Sequence, residues 1–125
     1  MTLLPASRSA LRRAKKSVKN VKVETTRPPL LTVYILRDDG RFMAKCPELD
    51  LVTEMDTREE VLDGIVEMIK EYAEDYHSRM EKFSRSPNRA HHKPYVEMIV
   101  ACKTKWELLE LLNVKYGHVY LQSVA

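Results

Sequence analysis

Between Leu31 and Tyr76 the chain reads LTVYILRDDGRFMAKCPELDLVTEMDTREEVLDGIVEMIKEYAEDY, an unbroken succession of strand, turn and helix signals. LTVYIL is rich in β-branched and aromatic residues, which suit a pleated, half-buried surface. Asp38-Asp39-Gly40 supplies a turn, after which Phe42, Ala44 and Cys46 alternate with Arg41, Met43 and Lys45, the pattern of a β-hairpin. Pro47-Glu48 forms a connector into LDLVTEM, a third strand that ends at Asp56. Thr57 then opens a helix. Its hydroxyl can accept from the backbone N–H three positions on, while Glu60 returns a bond to the N-cap amide, a reciprocal capping box.

Downstream of that cap, Val61, Leu62, Ile65, Met68, Ile69, Tyr72, Tyr76, Met80 and Phe83 recur at helical spacing as far as the Ser84–Asn88 breaker. The periodicity predicts about 26 helical residues, roughly 39 Å at 1.5 Å each. Strands of small sheets run to only about 20 Å, so Tyr76, Met80 and Phe83 would overhang the sheet and need cover, from residues 104–125 or from a second subunit. The apolar run YVEMIVAC predicts a fourth strand at Tyr95–Cys102. Thr104 with Glu107 forms a second capping box ahead of Leu108, Leu109, Leu111 and Leu112, a short helix that Tyr116-Gly117 would end, with HVYLQSV as one last strand.

In order and spacing this stretch resembles the HicB-like antitoxin family: a strand pair, a connector of the CPELDLVT type, a helix start of the DTREEVL type and one long amphipathic helix. The resemblance spans about residues 31–100. It implies an α+β domain with a partial ribonuclease H-like arrangement, β-β-β-α-β, in which a small antiparallel sheet of three to four strands packs on one long helix. It further implies a non-catalytic protein that neutralises a small basic ribonuclease toxin. One departure is plain. Where many toxin-paired members have Pro-Gly-Cys before the third strand, this chain has Leu49-Asp50-Leu51, as in stand-alone members.

Charge divides the chain. Residues 1–29 carry eight Lys and Arg against Glu24 alone, a balance of +7, which leaves residues 30–125 at −4. The composition changes at Pro28-Pro29, which cannot continue a helix, so a basic arm (1–29) is expected to precede a folded domain (30–125). Arg8, Arg12, Arg13, Lys15, Lys16, Lys19 and Lys22 suit contact with nucleic-acid phosphates, the alternative function to antitoxin action. Within the body, Asp38–Asp75 holds 13 acidic residues against four basic ones, a surface that favours basic partners. Glu48, Asp50, Glu54, Asp56, Glu59, Glu60 and Asp63 are the candidate partner-binding residues: they would face the toxin and cover its RNA-binding surface.

Catalytic patterns are weak. Asp38, Asp39, Glu48, Asp50, Glu54 and Asp56 could suggest a two-metal nuclease, but they fall in turns and a connector where acids serve solubility and capping. His91-His92 with His77 matches no metal-site spacing, and its neighbours Asn88, Arg89 and Lys93 read as an exposed loop. No metal, cofactor or enzymatic activity is expected. Three glycines leave no phosphate-binding loop. Two cysteines, Cys46 and Cys102, have no paired spacing and read as small buried thiols in strands, which fits a reducing, cytoplasmic setting. No apolar run approaches the ~18 residues of a membrane span. An exposed sheet edge and the helix overhang predict a homo-oligomer.

Overall fold

The computed structural model of the protein describes residues 29–118. Strands β1 (Leu31–Asp38) and β2 (Arg41–Cys46) form the expected hairpin, with Asp39 and Gly40 at positive φ of 50° and 83° in its turn. A 3₁₀ turn (Pro47–Leu49) ends at Asp50 in the left-handed region, φ 56°, and redirects the chain into β3 (Leu51–Met55). Helices α1 (Arg58–Ser78), α2 (Met80–Ser84), α3 (Lys93–Val100) and α4 (Lys105–Glu110) follow, with a second 3₁₀ turn at Ala90–His92, and β4 (Leu112–His118) closes the described chain.

The sheet runs β3-β2-β1-β4. Its first three strands are antiparallel, and β4 lies parallel to β1, with Leu31 opposite Leu112 and Val33 opposite Val114. The sheet is therefore mixed rather than wholly antiparallel. A parallel neighbour needs a crossover, and the helices between β3 and β4 provide it. β1 becomes an inner strand: Leu31, Val33 and Ile35 turn towards the helices and are buried. Alternation places Ala44 and Cys46 on the same face of β2, and α1 meets that face through Val61, Ile65, Ile69 and Ala73. Gly64 lets α1 approach β3 closely, since a Cβ there would lie 3.2 Å from Met55 Cε and 3.7 Å from Thr53 Cγ2.

Both caps form, each with a variation. Thr57 Oγ1 accepts from the Glu60 N–H at 3.1 Å and donates to the Glu60 carboxylate at 2.8 Å, so Glu60 holds the hydroxyl instead of the N-cap amide. Thr104 Oγ1 accepts from the Glu107 N–H at 3.2 Å, and the Glu107 carboxylate takes the Lys103 N–H at 2.9 Å. The short helix is thus present, but it ends at Glu110; Leu111 leads into β4, which Leu112 begins, and the Leu111 carbonyl receives both Leu30 and Leu31 N–H groups at 2.9 Å.

Two expected elements differ. Tyr95–Cys102 is not a strand: α3 occupies Lys93–Val100, with Pro94 in its first turn. Proline is preorganised for that position, and Val96 and Ile99, one helical turn apart, both bury against α1, whereas a strand would have set them on opposite faces. The fourth strand lies at Leu112–His118 instead. The long helix is also shorter than its periodicity implies, stopping at Ser78. Arg79 adopts φ −124° and ψ 37°, and α2 starts at a new angle after this break. Phe83 thereby returns to 5.4 Å from the Tyr76 ring, and Tyr76 donates its hydroxyl to the Arg89 carbonyl at 2.8 Å. Among the described residues, the end of α1 is covered by residues 80–92 of the same chain. Cys46 is buried in β2, and burial pushes its thiol up to about 12; Cys102 follows α3 outside any strand, where its thiol donates to the Met98 carbonyl at 3.5 Å. Among the described residues no helix is long and apolar enough to cross a membrane.

Candidate partner-binding surface

β3 separates the seven acidic candidates into two groups. Glu48 and Asp50 precede it and Asp56 follows it, so about 17 Å of strand lies between them. At the near end, the Glu48 carboxylate accepts the Thr32 N–H at 3.0 Å and the Cys46 thiol at 3.9 Å, anchoring the connector to β1. We expect Glu48→Ala to lower stability by about 1–2 kcal/mol in urea denaturation, because it strands a part-buried N–H. At the far end, Glu54 and Asp56 share Arg41, at 3.5 and 3.2 Å. Glu59 pairs with Arg58 at 3.8 Å, Glu60 holds Thr57, and Asp63 meets Lys105 on α4 at 3.4 Å.

Asp56, Glu59, Glu60 and Asp63 thus gather around the start of α1, and the helix extends their charge. Glu60, Asp63, Glu67, Glu71 and Glu74 are all exposed and, at 100° per residue, fall within an arc of about 80° over roughly 21 Å of helix. Glu67, Glu71 and Glu74 form no ion pair among the described residues, leaving their charge available to a partner. The helical period that marks the apolar face also marks this stripe, so the signal for its last three members was present in the sequence.

Its flank is not uniformly acidic. A cavity of about 160 Å³ between α1, α3 and α4 is lined by Glu67 and Glu74 but also by Lys70, Lys103 and Lys105, around Val66, Ile99 and Leu108. Asp50 sits apart from the stripe, close to the 3₁₀ turn at Ala90–His92. That turn is only half exposed loop. His91 faces solvent, whereas His92 is 2% exposed, because successive residues of a helical turn point in different directions. Burial pushes the His92 pKa below its ordinary value, helped by neighbouring His91 and Arg89 and opposed by Asp50. His77 lies exposed on α1, and Arg8, Arg12, Arg13, Lys15, Lys16, Lys19 and Lys22 lie outside the described residues.

Comparison with known proteins bears on this surface. A sequence profile described as "Antitoxin of toxin-antitoxin, RelE / RelB, TA system", for the PHD-like family, matches residues 17–119. No curated protein matches the chain. A solved structure from Syntrophomonas wolfei subsp. wolfei, described as the antitoxin part of a proposed toxin/antitoxin system, aligns at a TM-score of 0.61 and 22% identity, covering 84% of this chain and 70% of that chain. At that identity the likeness is one of fold. The chain belongs to the PHD-like family of antitoxins of RelE/RelB toxin–antitoxin systems.

Proposed function

We propose that this antitoxin works without catalysis, by laying the acidic stripe of α1 over the RNA-binding surface of a small basic ribonuclease toxin in the cytoplasm. The observation that carries this reading is the alignment of Glu60, Asp63, Glu67, Glu71 and Glu74 on one exposed helix face, continuous with Asp56 and Glu59 at its start. A surface that binds RNA phosphates is basic, and a rigid row of carboxylates competes for it without chemistry. The finer kinship with HicB-like antitoxins is supported by the strand order, three antiparallel strands and then a last strand beside the first. Mixing the chain with the small basic product of a neighbouring gene tests the reading. A complex that forms fast at low salt and more slowly as salt rises is expected; no association at low salt would refute it.

Self-association belongs to the same reading, on different grounds from the overhang. The sheet face away from α1 carries Tyr34, Leu36 and Met43 beside Val52, which is 48% exposed, and the outer edge of β3 has no neighbouring strand among the described residues. Light scattering at tens of micromolar should give the mass of a dimer or larger, and a monomeric mass would contradict it.

The charge division of the chain favours a second reading in parallel, in which the basic arm contacts nucleic acid. Duplex DNA binding should then fall steeply with salt, by a slope of about −0.9 per phosphate neutralised, and vanish on deletion of residues 1–29. Absence of binding by the full chain at low salt would remove this reading.

A further inference from the structure

Asp50 and the adjacent pair His91-His92, about forty residues later, converge where the connector before β3 meets the turn before α3. Asp50, His91 and His92 each place one donor atom within 4.8 Å of the other two. The His92 ring is buried among the helices, yet its Nε2 has no hydrogen-bond partner and looks towards Asp50 Oδ2 at 3.7 Å. A buried, unpartnered ring nitrogen aimed at a carboxylate calls for an explanation, because such groups are costly to leave unmade.

We propose that Asp50, His91 and His92 bind one divalent transition-metal ion of the Zn²⁺ class. Two imidazoles and a carboxylate form a donor set that suits this borderline-soft cation, with water completing four-coordination. Bond lengths of about 2.0–2.2 Å in a tetrahedron set neighbouring donors roughly 3.3–3.5 Å apart, so the 3.7 Å between His92 Nε2 and Asp50 Oδ2 needs only a small closure. His92 is also held from behind. Its Nδ1 lies 2.6 Å from the Tyr72 hydroxyl, and when Nδ1–H donates to that oxygen the Nε2 lone pair faces the ligand cluster. Asp50 brings the negative charge, from a left-handed backbone position that fixes its direction. A bound ion would tie together two segments about forty residues apart, beside the face of α1 that carries Tyr72 and not the face that carries the acidic stripe, so the proposal stands independently of the toxin interface.

Calorimetric titration of ZnCl₂ into the tag-free, chelator-stripped full chain provides the test, with Co²⁺ absorption as a second readout of coordination. One site per chain is expected, with intense visible bands from tetrahedral Co²⁺ and a higher melting temperature with Zn²⁺. His91→Ala removes an exposed ring, and Asp50→Asn keeps a residue that tolerates positive φ, so both variants should fold. Each should weaken binding by about tenfold or more and abolish the thermal shift. No stoichiometric binding would overturn the proposal and leave Asp50 and His92 as a simple polar pair. Undiminished binding in both variants would also overturn it, by placing the ligands elsewhere among His77, His118 and the cysteines.

Discussion

Tyr76→Ala should cost about 4–5 kcal/mol of stability in urea denaturation, a large share of the 5–15 kcal/mol available to a domain of this size. Tyr76 is fully buried near the end of α1 and joins three elements. Its ring packs at 6.1 Å from Tyr72 and 5.4 Å from Phe83, and its hydroxyl donates to the Arg89 carbonyl. Truncation opens a cavity beneath α2 and removes the anchor of the 85–92 segment at once. Tyr76→Phe keeps the ring and should cost only about 1–2 kcal/mol, the loss of one buried hydrogen bond. A loss below about 1 kcal/mol for the alanine variant would mean that α2 does not fold back on α1 as described.

Reversing the stripe should leave folding intact and remove binding. Glu67→Lys, Glu71→Lys and Glu74→Lys together change six units of charge on one helix face. The three side chains are exposed and make no ion pair among the described residues, so stability should move by only about 1 kcal/mol, mostly through new repulsion with Lys70. Against a basic toxin each lysine would face like charge, and affinity should fall by about a hundredfold or more, with the deficit shrinking as salt rises. The same reversal at Glu54 should matter less, since Arg41 already occupies that carboxylate. Unchanged affinity in the triple variant would remove α1 as the interface.

What could be read in advance and what could not follow from the range of the interactions concerned. The hairpin turn and both helix starts rest on contacts a few residues apart, and Asp39-Gly40, Thr57 with Glu60, and Thr104 with Glu107 announce them locally, while the connector adds a longer bond from the Thr32 N–H to Glu48. YVEMIVAC was ambiguous because an eight-residue apolar run fits a buried strand as well as a helix flank; Pro94 was the local clue to the helix. The fourth strand was hidden in the capped segment that precedes it, since Leu111 and Leu112 continue a leucine pattern that reads as helix. The break at Arg79 has no glycine or proline to mark it. It arises from tertiary packing, where Phe83 gains the Tyr76 ring and the Arg79 and Arg89 guanidiniums lie 5.2 and 4.8 Å over its face. At the surface, the acidic excess is legible as a count, and the helical period of the apolar face also sets Glu67, Glu71 and Glu74 in line with Glu60 and Asp63. Asp50 and His92 stand 42 positions apart, and nothing local to either one points to the other.

Co-expression with the basic product of a neighbouring gene, under conditions in which that product alone arrests growth, tests masking by the α1 stripe most directly. Growth should recover with the wild-type chain and stay arrested with the Glu67, Glu71 and Glu74 charge-reversed form, at equal levels of folded protein. Recovery with the reversed chain, or none with the wild type, would contradict it.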